Sequence, residues 1–230
     1  MTNPLRLTKS KQLKRVIFSL FIDFVFLRNK RARVTQQSAQ FAFEMKKRYP
    51  DARFFYTREG LWKSFAPHLN EVGWIGFEFG VASGDSTKKI LSMPFSKTCE
   101  SWNGFDTFTG LPEAWGDLPL GAFSTGGKTP NIKDSRVKWH KGLIEETYGM
   151  ISEVVNPQTR LLVIFDFDIY SATSIAWNEI SKSLKSGDVI YFDEAYEFDE
   201  SQIILEIFAS SNFQFSILGY TSMGIAFTIN

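Results

Sequence analysis

The stretch Gly73-Trp-Ile-Gly-Phe-Glu-Phe79, continued by Gly80-Val-Ala-Ser-Gly84 and Asp85-Ser86-Thr87, decides the fold. Its first seven residues form the apolar, aromatic-rich run of a buried strand. Gly80 and Gly84 permit a tight turn, and Asp85, Ser86 and Thr87 supply N-cap chemistry for a helix through Leu91. Strand, glycine-rich turn and helix, in that order, open a parallel α/β sheet.

Further along, the same alternation returns. A strand is expected from Cys99 to Phe105, a short one from Arg136 to His140, and a helix from Ile144 to Val155. Leu161-Leu-Val-Ile-Phe165 predicts a buried strand, Ala172 to Leu184 a helix, and Asp188-Val-Ile-Tyr-Phe192 the next strand. A helix over Ser201–Ala209 and two strands, Phe213–Leu218 and Gly224–Ile229, complete the chain with an antiparallel hairpin. Upstream, Thr35–Arg48 and Arg58–Leu69 predict two helices. The pattern implies one mostly parallel α/β sheet covered on both faces. Residues 106–131 are rich in Gly, Pro and Thr without periodicity, and a segment that long is expected to be a functional loop.

The 230 residues include 23 Phe and a single cysteine, Cys99, which excludes a disulfide-stapled scaffold and a cysteine zinc site. The net charge of +1 hides an asymmetry: residues 1–33 carry nine bases against Asp23, whereas the remainder is net acidic. The apolar run Val16–Leu27 would rise only about 18 Å as a helix, short of the roughly 30 Å hydrocarbon core. The basic flank Arg28–Arg33 also fits a signal peptide poorly. Two readings stay open for residues 9–33. One is a helix packed on its own domain or on a second subunit of a homodimer; the other is an interfacial helix on anionic lipid. No nucleic-acid motif accompanies the basic residues. The chain is accordingly expected to be cytoplasmic, with peripheral contact to the inner face of a membrane under the second reading. The expected division is a helical extension, 1–69, and a core domain, 70–230.

Two motifs carry chemistry. In the first, a strand ending at Glu78 and Phe79 runs into a glycine turn that lets backbone approach a nucleotide or nucleoside closely, and Asp106 ends the next strand where ribose hydroxyls would be met. In the second, Phe165-Asp166-Phe-Asp168-Ile-Tyr170 follows an apolar strand, and alternation would place Asp166 and Asp168 on one side, roughly 6–7 Å apart. Asp193 and Glu194 end the following strand, so four carboxylates converge at the C-terminal sheet edge if the strands are neighbours. No sequence-local Lys or Arg sits among them, and a hard divalent cation such as Mg²⁺ would relieve their repulsion. His140 is a lesser candidate base. Cys99 is expected to be a buried strand residue. Trp102, Phe105, Phe108 and Trp115 are expected in the core or lid, with one facing an adenine or acceptor ring as the alternative.

Four segments occur in order: Glu78-Phe-Gly80-Val-Ala-Ser-Gly84, Gly104-Phe-Asp-Thr-Phe-Thr-Gly-Leu-Pro112, Asp166-Phe-Asp-Ile-Tyr-Ser-Ala-Thr173 and Val189-Ile-Tyr-Phe-Asp-Glu194. Together they resemble the macrocin O-methyltransferase-like family of class I S-adenosylmethionine-dependent methyltransferases, over about residues 70–230. The resemblance implies a Rossmann-like, seven-stranded sheet with a reversed last strand. It implies S-adenosylmethionine held by Glu78, Gly80, Ser83, Gly84 and Asp106, and Mg²⁺ held by Asp166, Asp193 and Glu194. Asp168 would be the base, and the acceptor a hydroxyl on a sugar or another hydroxylated small molecule. Glu194 stands where an Asp is usual. Moving a proton from a hydroxyl near pKa 15.7 to a free Asp near 3.9 costs about 16 kcal/mol, so metal and Asp168 would have to act together. Two other classes fit parts of the pattern: a metal-dependent glycosyltransferase, from Asp166-x-Asp168, and a catalytically silent binding module recruited by the basic head. An NAD-dependent oxidoreductase leaves the four acids unexplained.

Overall fold

A computed structural model describes Lys14, Ile17 and residues 30–195, 198–210 and 213–230. The apolar run 16–27 and most of the basic head thus lie outside the described residues. Helix α1 spans Lys30–Arg48, α2 Arg58–Trp62 and α3 Ala66–Leu69; β1 spans Trp74–Phe79 and α4 Asp85–Leu91. Then follow β2 (Cys99–Asp106), β3 (Val137–Lys141), α5 (Ile144–Thr147), α6 (Gly149–Val154), β4 (Arg160–Phe165) and α7 (Tyr170–Ile180). The chain closes with β5 (Val189–Phe192), α8 (Phe198–Ala209), β6 (Phe215–Tyr220) and β7 (Ile225–Ile229).

Two expected helices are broken. Residues 58–69 divide into α2, a 3₁₀ turn at Lys63–Phe65 and α3, whose second residue is Pro67. Pro67 lacks the N–H that would continue the α ladder, so the chain tightens and restarts there. Residues 144–155 divide into α5 and α6 at Tyr148-Gly149, a glycine being a weak helix former.

The seven strands form one sheet in the order β3-β2-β1-β4-β5-β7-β6. β1 pairs in parallel with both β2 and β4, and β7 pairs antiparallel with both β5 and β6. The strand order therefore reverses beside β1, and ligands of open α/β sheets bind at the C-terminal ends of strands at such a switch point. Alternation sorts side chains between the two faces. Leu161, Val163 and Phe165 of β4 join Ile190 and Phe192 of β5 in one core with α7 and α8, while Leu162, Ile164, Val189 and Tyr191 join the other. Leu61, Trp62, Phe65 and Leu69 are fully buried in that second core against Trp74 and Tyr191. No helix among the described residues is long and apolar enough to cross a membrane.

The Phe content is concentrated in a row of rings across the first face. Phe105, Phe79, Phe165 and Phe192 lie with successive centroids 5.2, 5.2 and 4.5 Å apart. His140 extends the row at one end, 4.4 Å from Phe105, and Phe227 at the other, 6.3 Å from Phe192. Each of the central four phenylalanines immediately precedes a residue at the C-terminal sheet edge: Gly80, Asp106, Asp166 or Asp193. The row thus crosses the first face of the sheet one residue short of that edge.

Candidate active site

The ladder continues one residue past the strands. Gly80 N–H donates to Phe105 O (3.0 Å), Asp166 N–H to Phe79 O (2.7 Å) and Asp193 N–H to Phe165 O (3.0 Å). These bonds fix three sequence-predicted site residues in register at the C-terminal sheet edge. They open into a cleft of about 490 Å³, within the usual range for small-molecule sites. Its lining includes Gly80, Asp106, Asp166, Asp168, Asp193 and Glu194. One wall comes from the segment between β2 and β3, where Leu111, Pro112, Glu113 and Phe123 line the cleft.

That segment is held without regular strands. Leu111 N–H bonds Ala122 O and Gly121 N–H bonds Leu111 O, both at 2.9 Å, and Phe108 O accepts from Thr125 and Gly127. Side chains tie it to the helices: Ser171 Oγ donates to Glu113 (2.9 Å), and Trp115 Nε1 to Asp199 (3.0 Å). The wall is therefore built, and its shape follows from those bonds.

Asp106 Oδ2 accepts the amides of Val81 and Ala82, both at 2.8 Å, and Oδ1 accepts that of Phe108 at 2.6 Å. A carboxylate has about four acceptor positions, so one is left for a further donor such as a ribose hydroxyl. Gly80 has φ +93°, and a Cβ built there would lie 1.9 Å from the carbonyl oxygen of Asp166. Its glycine identity is thus required by the neighbouring strand end, whatever the cleft binds.

Glu78, Ser83 and Gly84 do not line the cleft. Glu78 is fully buried beneath the glycine turn, where its Oε2 accepts from Thr87 Oγ1 and from Trp102 Nε1 (2.9 Å). Ser83 is exposed, and Gly84 packs against Pro130 and Ile132. Burial pushes the Glu78 carboxyl up to about 8, against the two hydrogen bonds, with the Asp106 charge adding to the rise. The folded state then holds a proton that the unfolded state has lost between about 4.5 and 8. Wild-type stability should consequently fall relative to a Glu78→Gln variant across that window, by at most about 1.4 kcal/mol per pH unit, and run parallel above it. Denaturant unfolding of both proteins from pH 5 to 9 reads this directly; parallel curves throughout would assign Glu78 an ordinary carboxyl.

The expected spacing of Asp166 and Asp168 on one strand face does not apply, because β4 ends at Phe165. Asp168 instead takes a left-handed backbone, φ +67°, uncommon for a residue with a side chain. It is nonetheless buried in the same cleft. Asp166 has its carboxyl pushed well up, by burial first and then by the charges of Asp193, Asp168, Glu200 and Glu194. Glu200, on α8, is fully buried; its Oε2 accepts the Glu194 amide at 3.1 Å, its Oε1 has no hydrogen-bond partner, and burial raises its carboxyl strongly too. It is a fifth acid of the cluster, missed in the sequence because it lies on a helix beyond the strand end.

The second missed residue is Arg58, the only basic side chain among the described residues lining the cleft. Its Nη1 lies 3.2 Å from Asp193 Oδ2, while Tyr191 OH donates to Asp193 Oδ1. Burial works against the charged guanidinium, but Asp193 and then Asp166 outweigh it and hold its proton more tightly than usual. His140 is outside the cleft lining: it stacks on Phe105 and its Nε2 lies 3.2 Å from Asn103 Oδ1. Cys99 is buried, its thiol pushed up to about 12 chiefly by burial, as an inert strand residue would be. Trp102, Phe105 and Phe108 are fully buried, and Trp115 half-buried.

Asp166, Asp193 and Glu194 are hard oxygen donors in one cleft, and their mutual repulsion suits a divalent cation in chemistry. Among the described residues no group of three or more His, Cys, Asp or Glu side chains is drawn together as a ready metal site. Asp193, with one oxygen held by Arg58 and the other by Tyr191, is already engaged at both of its oxygens.

No family model matches the sequence, and no curated protein matches it. Among solved structures, CalS11, a calicheamicin methyltransferase, is similar with a TM-score of 0.57 at 19% identity, covering 87% of this chain and 93% of that one. The apo structure of CalS11, described as a TDP-rhamnose 3'-O-methyltransferase of calicheamicin biosynthesis, is similar with a TM-score of 0.51 at 19% identity, over 86% and 93%. The likeness is one of fold and does not single out the macrocin-like subgroup: this chain has the Rossmann-like fold of these methyltransferases, mostly parallel and closed by an antiparallel pair.

Proposed function

We propose that this chain is an S-adenosylmethionine-dependent O-methyltransferase of the macrocin-like kind, acting on a hydroxyl of a sugar or another hydroxylated small molecule. The observation that carries it is the convergence of Gly80, Asp106, Asp166, Asp168, Asp193 and Glu194 on one cleft at the switch point of the sheet. The neighbouring structures, a calicheamicin methyltransferase and a TDP-rhamnose 3'-O-methyltransferase, support the same class of reaction.

In this reading the backbone of Gly80, Val81 and Ala82 approaches the cofactor, and Asp106 does two things. It clamps the turn through the Val81 and Ala82 amides and offers its remaining acceptor position to the ribose. Asp166, Asp193 and Glu194 would hold Mg²⁺, which supplies acidification of the acceptor hydroxyl. Asp168 receives that proton at its carboxylate. Leu111, Pro112 and Phe123 of the β2–β3 segment wall the acceptor side, excluding water and fixing the approach of the hydroxyl to the methyl group.

Isothermal titration with S-adenosylmethionine and with S-adenosylhomocysteine tests the reading. Saturable binding of both is expected, followed by a mass gain of one methyl on a hydroxylated acceptor. Absence of heat with either nucleoside would overturn it.

A further inference from the structure

The acidic cleft contains its own cation. Arg58 opens α2, a helix capped by Thr57, whose Oγ1 accepts the Gly60 amide at 3.1 Å. Just upstream, Phe55 N–H donates to Tyr220 O (2.8 Å) and Tyr220 N–H to Arg53 O (3.0 Å). Residues 53–55 are thereby laid along the edge strand β6, and the start of α2 is fixed from outside the cleft. On the inner side the guanidinium lies 5.3 Å from the ring centroid of Trp62, itself fully buried. Anchored at both ends, Arg58 reaches Asp193 across 135 positions of sequence.

We propose that Arg58 is an internal counterion that competes with a divalent cation for Asp193, so that the metal affinity of the cleft is set by the segment preceding β1. The inference rests on the proposed metal ligands and concerns this chain's own arginine. Arg58 cannot relieve the competition by losing its proton, since a guanidinium stays charged. A cation that takes Asp193 Oδ2 meets the guanidinium on the same oxygen, and the repulsion of two positive groups there weakens both contacts. Oδ1 offers no easy alternative while Tyr191 donates to it. The competition is therefore felt first at Asp193, the acid on which the guanidinium rests.

The test is Mn²⁺ binding to the full chain, followed by the loss of the free-ion electron paramagnetic resonance signal, which needs no acceptor and no turnover. Arg58→Gln is expected to bind Mn²⁺ at least about tenfold tighter than wild type, because it removes a positive charge from the ligand oxygen, and two unit charges about 4 Å apart near a protein surface interact by more than a tenfold change in affinity requires. Lys63→Gln, which removes one exposed charge from the turn that follows α2, is expected to stay within about twofold, exposed charges being screened. Equal affinity in wild type and Arg58→Gln, or an equal gain in Lys63→Gln, overturns the competition and leaves the metal assignment standing. No Mn²⁺ binding by either protein overturns both, while the S-adenosylmethionine titration continues to judge the methyltransferase reading on its own. If Arg58→Gln loses the wild-type circular dichroism, Arg58→Met replaces it. Methionine keeps an unbranched stem beside Trp62 and carries no charge, so a gain of the same order is expected, and unchanged affinity overturns the proposal.

Discussion

Replacing Asp168 by Asn is expected to lower methyl transfer by about 10²–10⁴-fold, the usual span of general-base contributions, with affinity for S-adenosylmethionine nearly unchanged. The substitution is chosen for its backbone. Asp168 holds φ +67°, and Asn is among the few residues with a side chain that enter this region readily, so Asn should keep the chain path that an alanine would strain. It keeps the shape of the carboxyl as well. What it removes is a negative charge and an oxygen able to take a proton. Single-turnover rates and isothermal titration on the same preparation separate the two effects. A parallel loss of cofactor binding would place Asp168 in the nucleoside site rather than at the acceptor hydroxyl.

Gly80→Ala is expected to cost about 2–5 kcal/mol, a large part of the 5–15 kcal/mol that holds a typical domain together. The new methyl would stand 1.9 Å from the carbonyl oxygen of Asp166 and 2.5 Å from its carbonyl carbon. Neither atom belongs to a flexible side chain, so the end of β4 must move. The left-handed backbone at φ +93° adds strain of its own. Denaturant unfolding gives the number, and a loss under about 1 kcal/mol would show that the two strand ends separate easily. Because the displaced carbonyl belongs to Asp166, the variant should also lose nucleoside binding at temperatures where it remains folded.

The sheet was legible because its strands are short apolar runs bounded by turn residues, and a buried parallel strand has few other ways to be written. Every strand expected from β1 to β7 is present, with ends shifted by one or two residues. The convergence of Asp166, Asp168, Asp193 and Glu194 was legible for the same reason, since acids that follow parallel strands share an edge, and Asp106 ends its own strand at that edge. Glu78 is the instructive case. Its motif suggested a nucleoside ligand, yet Trp74, Gly76 and Glu78 alternate with Ile75, Phe77 and Phe79, and that period already turned Glu78 away from the Phe-lined face and toward Trp102. Arg58 was illegible for the opposite reason. Nothing near position 58 or position 193 announces a partner 135 residues away, and the pairing depends on the strand-like docking of residues 53–55 on β6. The 3₁₀ turn at Lys63–Phe65 was signalled by Pro67, a breaker inside an otherwise periodic stretch.

The row of rings from His140 to Phe227 has a consequence beyond packing. Three carboxylate-bearing positions and one glycine each follow directly on a ring of that row, and hydrocarbon cannot reorient to answer charge. On that side hydrocarbon offers no screening, so the charge that Arg58 and the raised Asp166 carboxyl leave on the acids is felt toward the open mouth of the cleft. A sulfonium nucleoside and a metal ion share one attribute, positive charge, and both would be drawn in from solution before any contact forms. Under the proposed function, phenylalanine buried for packing would thus also bear on how fast a cationic ligand arrives.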